Sequence, residues 1–161
     1  MKVNDKTKMS WNVQVTIINP DGSVKEVTTL KNSLTNTAFN TMAAFIAGTA
    51  GVSDARIQYI AWGSSATAFD ATQTTLFAEL GRKQVVNYSV GGTGAIATNA
   101  YLSPYDAAGQ TINELGWFIG NALNPVSLVA NSGLMYARVL YTHAKTNLES
   151  ISVIRTDTFS A

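Results

Sequence analysis

Polar and apolar residues alternate along much of this chain with the two-residue period of a half-buried strand. The pattern is clearest at Trp11–Asn19, where Trp11, Val13, Val15 and Ile17 share one face and Asn12, Gln14 and Thr16 the other. Pro20 then sets φ and Asp21-Gly22 supplies a turn, so Ser23–Lys31 is expected to return as the second arm of a hairpin. Further strands are expected at Arg56–Trp62, Arg82–Val90, Ile96–Ser103, Thr111–Ile119, Leu134–Thr142 and Ser150–Phe159. Gly91-Gly92-Thr93-Gly94 lies between two of them. A phosphate-cradling loop needs Lys-Ser or Lys-Thr after its glycines and a helix behind; this segment has neither and reads as a hairpin turn.

Two stretches depart from the strand period. Thr37–Ala47 has helical spacing, with Thr35 or Asn36 as N-cap, Gly48 as C-cap and a core-facing stripe of Phe39, Met42, Ala43 and Ile46. Asp70 is expected to open a second short helix, since Asp70 and Gln73 have capping-box spacing and Leu76, Phe77 and Leu80 form an apolar side before Gly81. About eight strands and two short helices imply a mainly β (α+β) fold, a two-sheet β-sandwich or jelly-roll. Neither a linker nor a repeat divides it, so residues 1–161 read as one domain.

Composition narrows the function. The 161 residues carry a formal net charge of +1, and only 13% are charged, against about 25% in ordinary soluble proteins. That balance disfavours nucleic-acid binding and a polybasic membrane anchor. No apolar run reaches membrane-spanning length, and the opening MKVNDKTKMSWNV lacks the apolar core of a signal peptide. Thr, Ser, Asn and Gln instead supply 50 residues. A near-neutral polar surface repels its copies weakly, which points to self-association.

Candidate chemistry is sparse, and no cofactor is implied. Without cysteine, disulfides, thiolate metal sites and cysteine nucleophiles are excluded. The single histidine, His143, has no Cys, Asp or Glu spaced as co-ligand or orienting partner, and reads as a surface or hydrogen-bonded residue. Ser64, Ser65 and Ser132 neighbour glycines but none forms a nucleophile elbow. The six aspartates lack calcium-loop spacing, leaving only a calcium ion assembled from distant loops.

Glu79 and Glu114 could form a glycosidase pair, but strand parity suggests a structural role. Glu114 shares a face with Ile112 and Phe118, and Arg138 one with Leu134, Tyr136 and Leu140. An inward carboxylate needs a partner, and Arg is its natural bidentate one. Glu79 and Arg82, three apart at the expected helix end, are placed to join this ion-pair network. Trp62, Tyr105 and Trp117, with Tyr88 and Tyr101, are expected in the core or an interface, or as a stacking surface for sugars. The stretch 127–136, SLVANSGLMY, reads as a contact loop.

Several ordered motifs resemble those of small structural proteins of tailed bacteriophages, in particular the tail-collar fibre type of module. They are NSLTNTAFNTMAAFIAG, IQYIAWGSS, DATQTTLFAELGRKQV (Asp70, Thr72, Thr74, Leu76, Glu79, Arg82) and INELGWF (Ile112, Glu114, Gly116). LMYARVL and KTNLESISVIRTDTF are similar to the closing strands of related virion proteins. The resemblance covers residues 30–160. It implies a non-enzymatic virion component that oligomerises and docks on other tail, neck or capsid proteins. A collar-fibre module precedes a long shaft, whereas this chain stops after one domain, so an adaptor or a capsid decoration subunit is also expected. A host-glycan-binding module is the alternative from another class.

Overall fold

The computed structural model describes residues 8–92 and 94–160, which form two five-stranded antiparallel sheets and one α-helix. The elements are β1 (Lys8–Ile18), β2 (Val24–Lys31), β3 (Ser33–Leu34), α1 (Asn36–Ile46), β4 (Ile57–Gly63), β5 (Glu79–Gln84) and β6 (Asn87–Gly91), followed by β7 (Ala95–Leu102), β8 (Thr111–Ile119), β9 (Leu134–Ala144) and β10 (Ser150–Ser160). The first sheet runs β2-β1-β10-β7-β6 and the second β3-β9-β8-β4-β5. The mainly β, sandwich-like architecture expected from the alternation is therefore present, with ten strands rather than eight.

The β1–β2 hairpin forms at the expected turn. Gly22 takes a φ of +84°, and Asp21 Oδ1 accepts from the Ser23 amide at 2.9 Å. The two sheets face each other across one core. Val13, Val15 and Val153 project from the first, and Ile60, Leu115 and Trp117 from the second. Polar residues at the alternate positions of β1, Asn12 and Gln14, stay exposed.

Two of the expected elements differ. The run Arg82–Val90 is two strands, because the chain crosses between the sheets at Val85-Val86. The Val85 amide donates to Gln58 of β4 (2.9 Å), the next amide to Asn99 of β7 (2.7 Å). Val85 is buried and Val86 exposed, yet two consecutive valines read as one continuing strand. The short β3, paired with Arg138 and Ala137, accounts for the other additional strand.

Asp70 opens turns and no second helix. The reciprocal bonds of a cap do form: Gln73 Oε1 accepts from the Asp70 amide and Asp70 Oδ1 from that of Thr72, at 2.9 and 2.8 Å. Propagation fails because Leu76 is drawn onto the second sheet and Glu79 begins β5. Local capping without continued helical bonding is only a turn.

The first helix forms as expected but is rotated. Thr35 caps it, accepting from the Ala38 amide at 3.1 Å while donating to the Met135 carbonyl at 2.6 Å. That double bond anchors the helix to β9 and turns Ala38 and Thr41 inward. Ile46 and Phe39 of the expected stripe are exposed; Phe39 packs edge-on against Trp11. Gly48 follows the helix with a φ of +66°, as a left-handed terminator requires.

The outer face of the second sheet is roofed by the chain's own connections. Leu76 from the β4–β5 excursion and Val126 from the β8–β9 loop pack with Ala61, Phe118 and Met135. Small residues beneath make room: a Cβ on Gly116 would stand 2.8 Å from Leu76, and one on Gly63 would stand 2.6 Å from the Ala78 carbonyl oxygen. Because that second obstacle is backbone, Gly63→Ala is expected to destabilise the fold by about 1–3 kcal/mol. Gly92→Ala, whose Cβ meets nothing within 4 Å, serves as the neutral control. Urea denaturation of both variants checks this; equal midpoints would show that the roof is not tightly seated.

Candidate functional site

The sheet register explains where the charges of the second sheet go. Arg82, Ala61, Gly116 and Arg138 are successive lateral neighbours across β5, β4, β8 and β9, and Ser33 of β3 adjoins Arg138. In the adjoining row Glu79, Gly63 and Glu114 are likewise lateral neighbours. Two arginines thus flank two small residues, with the glutamates one step along the strands.

Glu114 and Arg138 are fully buried, with Nε to Oε2 at 2.6 Å. The remaining capacity of both groups is used by the excursion above them. Arg138 Nη2 donates to the Thr67 carbonyl at 2.8 Å, and its guanidinium lies over the Phe77 ring. Glu114 accepts from the Ala78 and Phe77 amides at 3.0 and 3.4 Å. Parity had placed Glu114 with Ile112 and Phe118, but the β8–β9 register shifts between Ile112 and Glu114. Ile112 therefore enters the core between the sheets, whereas Glu114 and Phe118 lie beneath the roof.

Glu79 and Arg82 form a second pair, Nε to Oε1 at 2.6 Å, with both side chains 1% exposed. In a regular strand, residues three apart face opposite ways. Here the register shift at Trp62/Gly63 inserts an extra residue in β5 and brings both to one face. The 127–132 loop is bound to this pair: Arg82 Nη1 donates to the Ser132 carbonyl at 2.9 Å, and Glu79 Oε2 accepts from the Asn131 amide at 3.0 Å. The four residues expected to form one network thus form two ion pairs, each anchoring a different connection. No hydrogen bond joins the pairs directly among the described residues. Both carboxylates are shut off from solvent, so neither can meet a substrate or a catalytic water in this conformation.

Sequence reasoning overlooked a third buried pair. Arg155 and Asp157 of β10 point between the sheets on the face of Ile151 and Val153 and meet at 2.5 Å. The guanidinium lies over the rings of Trp117 and Tyr136, at 5.3 and 5.0 Å. Burial pushes the Asp157 carboxyl above its usual range, against the lowering effect of Arg155. The alternation Ile151, Val153, Arg155, Asp157 carried this signal. Asp157 also lines a cleft of about 610 Å³ at one end of the sandwich, with Phe45, Arg56, Ile57, Tyr88 and Ile96. The Tyr88 hydroxyl donates to the Ile57 carbonyl, tying β6 to β4 beside it.

His143 does have an acidic partner. Its Nε2 is 2.7 Å from Glu149, which also accepts from Lys25 at 2.9 Å and from the Thr146 amide at 3.1 Å. The tight β9–β10 turn brings positions 143 and 149 together, a proximity that linear spacing conceals. Burial opposes the Glu149 charge, but these donors outweigh it and lower its pKa to about 2. Buried Lys145, also unanticipated, gives its ammonium to the carbonyls of Pro104, Thr146 and Glu149 at 2.8–3.2 Å. It locks the turn against the 103–110 loop, which carries Tyr105.

The three aromatic candidates separate. Trp62 and Trp117 are core residues, and the Trp62 indole donates to Gln110 at 2.8 Å; neither presents a stacking face. Tyr105 is 87% exposed. Ser132 is occupied with Arg82 and Ser127, and Ser64 and Ser65 lie in the excursion above the second sheet. Among the described residues, no three His, Cys, Asp or Glu side chains converge on a metal position, and no helix is long and apolar enough to cross a membrane. Compared with known protein families, curated proteins and solved structures, the chain finds no match.

Removing one member of a buried pair strands the other. Glu114→Ala is therefore expected to cost about 3–5 kcal/mol, measured by urea or thermal unfolding. An unchanged melt would mean that Arg138 finds other partners at no cost.

Glu149 makes a second prediction, for acid. Its folded carboxyl binds a proton less readily than the unfolded one, so its contribution is complete above about pH 4.5 and lost as pH falls towards 2. Glu149→Gln should flatten the stability profile across that window. A variant that loses stability as steeply as the parent there would refute the assignment.

Proposed function

We propose that this chain is a non-enzymatic structural module of a tailed-phage particle, which associates with its own copies and docks on other virion proteins. One observation carries the reading: the two sheets differ in what covers them. The second is roofed by the chain itself, while the outer face of the first carries no packed connection among the described residues. Across it run Thr29, Gln14, Ile154, Asn99 and Asn87, with Lys31, Asn12, Thr156, Ala97 and Ser89 in a neighbouring row. Lys31 is the only charge in these rows, and it stands at the border.

An uncharged polar face of this kind suits docking on other virion proteins. At about 4.8 Å per strand and about 3.3 Å per residue, the five strands of this sheet present roughly 700 Å². That is below the roughly 800 Å² per partner of a standard interface, so affinity has to come from repetition on a multivalent particle. The likeness of the NSLTNTAFNTMAAFIAG, DATQTTLFAELGRKQV and INELGWF segments to collar-fibre modules supports a tail or neck position. A capsid decoration subunit would use the same face. The glycan-binding alternative loses Trp62 and Trp117 as stacking platforms, because both are buried.

Sedimentation equilibrium of the purified chain, together with antibody labelling of intact particles, tests the proposal. The expected results are a mass that is a multiple of 17.1 kDa and label at the tail or neck. A strictly monomeric mass at high protein concentration, with unlabelled particles, would overturn it.

A further inference from the structure

The free edges of the two sheets are not equally defended. Natural sheets blunt their edges with charges, bulges, very short strands or covering loops, because an open ladder recruits another strand. β2 carries Lys25, Glu26 and Lys31 and has a register shift against β1. β5 carries Glu79, Arg82 and Lys83, is bulged against β4, and is bound by the 127–132 loop. β3 is two residues long. Among the described residues, β6 alone lacks each of these protections. Its residues, Asn87-Tyr88-Ser89-Val90-Gly91, include no charge and no proline, all five are exposed, and they pair with β7 without a shift. Among the described residues nothing pairs with its outer side.

We propose that β6 is the contact between two copies of this chain, pairing antiparallel with the partner's β6 about a two-fold axis at Ser89. This rests on the self-association proposed above and identifies the surface that performs it. The sequence of the strand is self-complementary in that register. Asn87 faces Gly91, Ser89 faces itself, and Tyr88 faces Val90 on both sides of the axis. Aromatic against β-branched is a favourable cross-strand combination, and the symmetry makes it twice.

Charge also selects a second copy as the occupant. In a two-fold contact a charged edge opposes its own like charges, as the lysines of β2 would; β6 has none to oppose. Val90 is 81% exposed and lies across from Ile96, which lines the end cleft beside Tyr88 and Phe45. The partner's Val90 and Tyr88 would extend this apolar strip. Pairing would join the two five-stranded first sheets into a single sheet through both copies.

The chain has no cysteine, so Ser89→Cys introduces one thiol, placed on the axis. Directly opposed Cβ atoms in an antiparallel pair lie about 5 Å apart, close enough for a disulfide with small adjustment. Mild oxidation should convert Ser89→Cys largely to a covalent dimer, while Gln14→Cys, in the middle of the open face, stays uncrosslinked. Ser89→Lys should reduce the sedimenting mass to that of a monomer with an unchanged melting temperature. If the parent chain assembles, Ser89→Lys assembles equally and Ser89→Cys does not crosslink, copies meet elsewhere; the β6 contact then falls while self-association stands. A monomeric parent chain would remove both.

Discussion

The arrangement depends on four charged side chains buried on the outer face of one sheet. Arg82 and Arg138 stand in one lateral row, Glu79 and Glu114 in the next, and all four are closed to water. A buried ion must be paired and its remaining hydrogen-bonding capacity filled, or the fold loses several kcal/mol. The sheet alone cannot do this. The 64–78 excursion supplies the Thr67 carbonyl and the Ala78 amide, and the 127–132 loop supplies the Ser132 carbonyl and the Asn131 amide. Two long connections are thereby committed to one side of the sandwich. Among the described residues, no connection packs on the opposite side.

The same economy of charge governs the rest of the molecule. Of the acids among the described residues, Asp54, Glu79, Asp106, Glu114, Glu149 and Asp157 are in ion pairs. Asp21, Glu26 and Asp70 accept from the hydroxyls of Ser23, Thr28 and Thr72. Negative charge is thus largely satisfied within the chain, leaving amides and hydroxyls to meet the surroundings. Such a surface has little long-range field to steer or repel a partner. A partner meeting it would have to rely on shape and on backbone edges.

Much of the fold was legible because strand alternation is a local property. The β1–β2 hairpin, β8 and β10 lie close to where the pattern of Val, Ile and Thr puts them. The misreadings share a cause: each turned on a contact that spacing along the chain does not reveal. Val85 and Val86 look alike along the chain yet bond to different sheets. Asp70 and Gln73 exchange the bonds of a helix cap, but the packing of Leu76 on the second sheet ends the turn there. His143 and Glu149 meet only because β9 turns tightly into β10.

The sequence by itself determined the class of fold, the sparing use of charge, and the arginines and glutamates that must be reconciled in a β-rich interior. Period-two alternation, turn residues and composition are enough for that, because each acts within a few residues or over the chain as a whole. Only the tertiary structure decided which glutamate meets which arginine, and on which side of the sheet. Those outcomes turn on single-residue register shifts at Trp62/Gly63 and Ile112/Glu114, and one extra residue in a strand sends every later side chain to the opposite face. Which sheet the two connections cover follows from the same shifts, since they place the charges that hold those connections down.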